Sequence, residues 1–346
     1  MNRYFDISIY YHKVGFAFRS LKGKNFRLFF IGQIVSLMGS FIQSIALGWL
    51  VYRMTNSAVY LGVIGFASQI PSLVLTPIAG VYADRLNRRK VLIASQTVSM
   101  LMAFAMTILF FTGHIKIWHI MVISIINGMA MAFDTPFRHA FLFELVGGKE
   151  LLQNAIALNS TLINSARFIG PMIGGFLIAL LGEGYCFLVN GLSFLAVIVA
   201  LLWMKVKPLN KGKKHGSIYR ELLEGFHYSY NFKPIKYLLL LVITTGFFGL
   251  SYQTFLPIFA KDILHGNAQM LGFLTGTMGA GALTGAFYLA SRKGVCGIPK
   301  LIMISAITFS VALMGFSISQ HPAISLVMMY FVGFGMIVQF ASTNTL

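Results

Sequence analysis

The chain has 346 residues, of which 57% are hydrophobic and only 10% charged, with 27 lysines and arginines against nine aspartates and glutamates for a net charge of +18. At a mean hydropathy of +0.77, such a sequence excludes a water-soluble globule, whose exterior must still be covered by polar groups. The basic balance alone would suggest nucleic acid as a partner. The distribution of the cations along the chain removes that reading.

Residues 1–26 form a basic leader in which Lys13, Arg19, Lys22 and Lys24 stand among aromatics, the pattern of a segment lying on a bilayer surface. Ten apolar runs follow, at 28–51, 58–82, 91–111, 117–133, 155–181, 185–204, 237–259, 270–289, 301–318 and 324–341. A helix of roughly 20 apolar residues crosses ~30 Å of hydrocarbon, so the expected fold class is an all-α integral membrane protein. The first run is too long for the apolar region of a signal peptide and reads as a retained helix.

Counting the gaps alternately from the N-terminus places 23 of the 27 cations on one side of the membrane. The opposite side holds Arg53, Lys116 and Lys261, and Arg167 alone falls inside a span. This is the positive-inside asymmetry, which predicts a multi-pass inner-membrane protein with a cytoplasmic N-terminus. Anionic lipid is then the expected partner of the basic loops, with no nucleic acid. Cys186 and Cys296 fall on opposite sides of the bilayer, so they cannot pair, and no metal-binding or cofactor-binding spacing exists.

The longest gap, 205–236, is basic and holds a candidate interfacial helix at 218–230. It divides a six-helix N-terminal half, 27–204, from four helices at 237–346. Spans 2 and 8 align without gaps at an offset of 210, pairing Leu61-Gly62 with Leu271-Gly272, Asn87 with Gly297 and Lys90 with Lys300. This suggests a duplicated six-helix unit whose second copy is incomplete, with helices 11 and 12 missing from a truncated chain or fragment.

Between spans 2 and 3 lies Gly80-Val-Tyr-Ala-Asp-Arg-Leu-Asn-Arg-Arg-Lys90, where five of the seven residues from Asp84 are charged. A simple positive-inside loop explains the cations but not Asp84 among them. The segment resembles the signature loop of the major facilitator superfamily, with Gly80, Asp84, Arg85, Arg88 and Arg89 in place. Asn87 stands where that signature has a second glycine, a mild departure because Asn tolerates the left-handed backbone of a tight turn. The resemblance implies two six-helix halves rocking about a central cavity, with Asp84 and its arginines as a cytoplasmic gate. In the family the matching Asp docks at the start of helix 11, which this chain does not contain.

In span 5, Gly170-Pro171-x-x-Gly174-Gly175 resembles the superfamily's antiporter motif of exporters. Ala166, Gly170 and Gly174 make one smooth face, and Gly272, Gly276, Ala280 and Thr284 of span 8 offer a matching stripe that could seal the outer side. Phe41–Tyr52, Thr55–Ser57, Asp134–Arg138 and Asn154–Ser160 resemble the enterobactin-exporter and macrolide-efflux branch, of transmembrane secretion effector type, from about residue 18 onward. Many drug/proton antiporters carry an Arg four residues before a Gly in helix 4. Here Ser124 precedes Gly128, so coupling does not transfer through that residue.

Arg167 near mid-membrane costs at least ~2.5–3.5 kcal/mol on insertion scales and should face a polar cavity or a partner, Asn164 being one. If it lines the cavity, the site suits neutral or anionic amphipathic compounds. Asp134 and Arg138 would pair at i, i+4 if Pro136 leaves that turn helical; otherwise Asp134 reaches Arg85 or Arg88. Gln33 and Gln43, Tyr252 and Gln253, and Gln339 are candidate substrate contacts, or else interhelical glue. Pro257 is a candidate hinge. The expected activity is proton-coupled export of siderophore-, macrolide- or drug-like compounds by a monomeric carrier, not an enzyme. The competing reading is a truncated remnant or partner subunit that does not transport.

Overall fold

The computed structural model describes residues 19–146, 149–206, 251–291 and 297–343, with short pieces between 231 and 249. The leader before Arg19, the segment 218–230 and Cys296 lie outside the described residues. The structure is helical: α1 (Lys24–Thr55), α2 (Ala58–Ala83), α3 (Arg88–Phe111), α4 (Ile117–Leu145), α5 (Lys149–Leu181), α6 (Glu183–Trp203), α7 (Tyr252–Ile258), α8 (Ala268–Ser291), α9 (Ile298–Ile318) and α10 (Pro322–Thr343). Among the described residues nine of these are long and apolar enough to cross a membrane. The seventh expected span is described only in part: α7 sits between two π-helical turns, Thr245–Gly249 and Phe259–Ile263. Pro257 lies within α7, directly before the second of them, where a missing N–H favours the wider turn.

The turns between helices follow local chemistry. Asn56 takes the left-handed conformation (φ 46°) and its N–H returns to the Tyr52 carbonyl, closing α1. Gly182, at φ 92°, reverses the chain between α5 and α6, a geometry that a side chain would strain. Pro136 does not interrupt α4, which runs unbroken to Leu145.

In the first group of helices, α1 packs on α5 and α6, α2 on α4, and α3 on α4 and α6. In the second, α8 and α9 both pack on α10. The offset of 210 survives in three dimensions: Ala58 and Ala268 open α2 and α8, and Arg88 and Ile298 open α3 and α9. The α2–α4 and α3–α4 packings recur as α8–α10 and α9–α10. Val59, Leu73, Val311, Met314 and Ile318 stand exposed on the outside of the bundle, as expected of side chains facing lipid.

The two groups meet chiefly along α5 and α8. The contact differs from the expected one. A Cβ on Gly175 would lie 2.7 Å from the Gly272 Cα and 2.8 Å from the Ala268 carbonyl, so these backbones touch only because both residues lack side chains. Pro171, Met172 and Phe168 carry the seam onward to Gly272, Gly276 and Gly279. The Gly170–Gly174 face turns instead to Phe41 and Ile42 of α1. Thr284, expected in the α8 stripe, bonds Tyr330 of α10 at 2.8 Å. One helix serves two neighbours because Gly174 and Gly175, adjacent in sequence, project ~100° apart.

The buried clusters are distributed unevenly. At the end of the bundle holding Asp84, the core of Phe26, Phe29, Leu92, Phe137, Phe141 and Leu201 is drawn, among the described residues, from the first group of helices and the residues flanking it. At the opposite end, Ala268 joins Leu50, Tyr52, Leu61 and Phe187, while Ile45 and Trp49 pack on Leu256, Leu271 and Phe316. There the two groups share one core.

Candidate functional site

At the Asp84 end, the buried Arg88 draws two helices together. Its guanidinium donates to the Ala83 carbonyl at 2.8 Å and to the Ala140 carbonyl at 3.0 Å. It also meets Glu144 at 2.8 Å and Asp84 at 3.0 Å. One planar group with five donors thus ties the C-terminal turn of α2 to the last two turns of α4, where a partial negative charge attracts a cation. Arg89 does the same for α6, donating to Leu201 and Leu202 at 2.7 and 2.8 Å. Arg85 is exposed, and a Cβ on Gly80 would meet nothing within 4 Å.

Asn87 corrects the expected turn. It is extended (φ −71°, ψ 106°) and caps α3, its Oδ1 accepting from the Lys90 N–H at 3.1 Å. A side-chain cap needs that extended backbone, and the gain of satisfying a free N–H displaces the left-handed alternative. At the equivalent point Gly297 opens α9 with φ 78° and no side-chain cap.

Asp134 is 2% exposed. It accepts from Gln96 at 2.6 Å and Ser95 at 3.3 Å, and Arg138 stands 3.5 Å away. Arg138 reaches on to Gln33 at 3.2 Å, so α1, α3 and α4 share one buried polar network. With Arg88 engaged by Glu144, the alternative pairing of Asp134 with Arg88 is not the arrangement formed. Glu144, Ser95 and Gln96 were absent from the sequence reading. The signal that could have found Glu144 was a carboxylate on the same helical end as four unbalanced cations.

The opposite end is wired differently. The Tyr52 hydroxyl donates to Asp262, joining α1 to the π-helical turn after α7. Lys261 donates to Asn56 at 2.6 Å, and its ammonium lies 5.3 Å from the centre of the Tyr52 ring, within cation–π range. Both bonds cross from the first group to the second. Arg53 meets the buried Glu183 of α6 at 3.0 Å beside them. Tyr52 and Asp262 are themselves 210 apart, so the bond joins the two copies of one repeat position. Contacts between equivalent positions form at a two-fold relation.

Beneath this closure lies a cavity of about 600 Å³. Phe41, Ile45, Leu61, Ile64, Leu256, Pro257 and Leu271 supply apolar walls, and Ser44, Ser68, Gln69, Gln253, Thr254 and Thr275 supply neutral polar groups. Pro171 and Arg167 enter from α5, Arg167 as the only charged residue among the described residues of the lining. Of the sequence candidates, Arg167 and Gln253 line it. Gln43 does not: it accepts from Asn190 at 2.7 Å between α1 and α6. Tyr252 points its hydroxyl at the Met278 sulfur, 3.0 Å away, and Gln339 is buried in α10. Asn164 bonds its own helix at Ser160 rather than Arg167. Among the described residues no group of His, Cys, Asp and Glu could hold a metal ion.

Two helical groups related by an internal repeat, with a cavity between them shut at one end, define a membrane carrier of the major facilitator type. Residues 16–346 match the model of the transmembrane secretion effectors, and the chain belongs to that family of transporters, not of enzymes. It is 27% identical over 292 residues to the staphyloferrin A transporter of Staphylococcus aureus, covering 84% of this chain and 72% of that one. It is 25% identical to the multidrug efflux pump Tap of Mycolicibacterium fortuitum (86% and 74% covered) and to macrolide efflux protein A of Streptococcus pyogenes (83% and 70%). Among solved structures, an inward-facing, unoccupied bacterial homologue of the lysosomal transporter Spinster superposes with a TM-score of 0.69 at 14% identity, over 93% of this chain and 74% of that one. An inward-facing bacterial homologue of ferroportin gives 0.64 at 15%, over 93% and 82%.

Proposed function

We propose that this transporter exports small amphipathic compounds across the cytoplasmic (inner) membrane by alternating access, with proton entry as the driving flux. The observation that carries the reading is the asymmetry between the ends. The cavity lies under an end where both helical groups share a core and are bonded by Tyr52–Asp262 and Lys261–Asn56. At the basic end Arg88, Arg89 and Arg138 bond within α1–α6. The positive-inside pattern makes the basic end cytoplasmic. The cavity is then closed outward and loads from the cytoplasm. The Asp84–Arg88–Glu144 cluster, with Arg85 and Arg89, gates that inner mouth as residues 27–204 rock against residues 237–346. Asp134, buried beside a single cation, serves as the proton-carrying carboxylate. The similarity to a staphyloferrin A transporter, a multidrug efflux pump and a macrolide efflux protein supports efflux.

The test uses a Ser68→Cys variant in which Cys186 and Cys296 are serine. A membrane-impermeant thiol reagent should label it in everted vesicles and not in right-side-out ones. Labelling from the outer side alone would overturn the assignment of sides. Efflux of a macrolide and of dyes from loaded cells, with and without a protonophore, reads the substrate range and energy source. Export unchanged by the protonophore would remove the proton from the scheme.

A further inference from the structure

We infer that the cavity is an anion-accepting site, and that the exported solute carries a carboxylate, phosphate or sulfonate which pairs with Arg167. The inference rests on the reading of this cavity as the transport path. It follows from where the carboxylates are. Nine exist in the chain, at positions 6, 84, 134, 144, 150, 183, 221, 224 and 262. Five belong to side chains that the structure describes, and all five are engaged elsewhere: Asp84 and Glu144 by Arg88, Asp134 by Arg138, Glu183 by Arg53 and Asp262 by Tyr52. None of them lines the cavity.

Arg167 is the converse case. It lines the cavity, and among the described residues it makes no hydrogen bond or ion pair. A guanidinium held inside a bilayer ordinarily finds a partner or water. Here the partner's place is the cavity itself, and a planar fork of donors selects acceptors that are anionic and able to accept two parallel bonds. Among the described residues the rest of the lining is neutral: Gln69, Gln253 and Thr254 can bond either a donor or an acceptor, while Phe41 and Leu256 bind an apolar body. A cationic dye would meet an unopposed like charge, whereas an amphipathic anion would meet its complement. The volume of about 600 Å³ suits a drug-sized solute.

The experiment reads the charge of the cavity without needing the natural solute. Ser44, exposed in the cavity lining, becomes cysteine in the full chain with Cys186 and Cys296 as serine. Its labelling rates by a sulfonate-bearing and a trimethylammonium-bearing methanethiosulfonate are compared, each divided by the rate on a free thiol in solution. The sulfonate should be favoured about a hundredfold, since one unit charge ~10 Å away at an effective dielectric near 20 speeds the anion and slows the cation by about tenfold each. Arg167→Gln should bring the ratio to one, Arg167→Lys should keep it, and Arg167→Glu should invert it. A helix-packing role for Arg167 would leave the ratio unmoved by Arg167→Gln. That result, or a wild-type ratio of one, overturns the inference while leaving the transport path standing. Absence of labelling by either reagent from either side would sink the transport path and this inference with it.

Discussion

The two ends of the bundle use similar residues for opposite purposes. At the Asp84 end an arginine gathers two carboxylates and two carbonyls, all from α2, α3 and α4 of one helical group. At the Tyr52 end a tyrosine, an asparagine, a lysine and an aspartate make bonds that join one group to the other. The first arrangement makes a half rigid; the second makes two halves stay together. A carrier needs both, because rocking requires bodies that hold their shape and an interface that can be released.

The comparison is broken most severely at Arg88. Truncating it to Ala leaves Glu144 with its partner removed and frees two helix-terminal carbonyls. Loss of one member of a buried pair typically costs roughly 3–5 kcal/mol. The expected result is a marked fall in the thermal stability of the detergent-solubilised protein, with no gain in outer-side labelling of a cavity cysteine. Labelling that rose while stability held would show that Arg88 ties the halves together rather than stiffening one of them.

Next in size is the seam. Gly175→Leu would drive a side chain into the Gly272 backbone, 2.7 Å from where its Cβ must sit. Overpacking of this kind costs typically 1–3 kcal/mol. Here the strain falls between the groups, so outer-side labelling should rise and stability change less than for Arg88→Ala. Gly174→Leu presses on Ile42 inside the first group and should do the reverse. Equal behaviour of the two variants would deny that neighbouring glycines serve different interfaces.

Smaller still is the bond between Tyr52 and Asp262. Tyr52→Phe and Asp262→Ala each remove a hydrogen bond to a charged group, for which ~1.5–3 kcal/mol is typical when buried. Asp262 is exposed, so a coupling near ~1 kcal/mol is expected, read as up to about tenfold faster labelling from outside. In a double-mutant cycle the two changes should be non-additive, since one bond is lost twice. Additive effects would separate Tyr52 from Asp262.

Much of this was legible in the sequence and some was not, for definable reasons. The spans and the signature loop follow from local hydropathy and charge, which a bilayer converts directly into position. The seam partners α5 and α8 were expected, but not the face used, because a stripe of small residues at i, i+4, i+8 looks equally smooth toward any neighbour. Gln43 and Gln339 were indistinguishable by type from Gln69 and Gln253; only packing decides which amide faces a cavity and which faces Asn190 or a helix core. The Tyr52–Asp262 bond was hidden at 210 residues' separation, although the repeat offset contained it.

The most local expected effect lies where the two repeats begin their third helices. Asn87 and Gly297 occupy equivalent positions, yet one caps with a side chain from an extended backbone and the other turns through φ 78°. Asn87→Ala should cost ~1 kcal/mol through an unsatisfied N–H, and Asn87→Gly only a few tenths. At Gly297 the ranking should invert: Gly297→Ala forces a Cβ into the left-handed region at ~1–2 kcal/mol, and Gly297→Asn is the milder change. Thermal unfolding of the four variants measures both orders. If neither Asn87→Ala nor Asn87→Gly lowered stability, the cap would carry no weight.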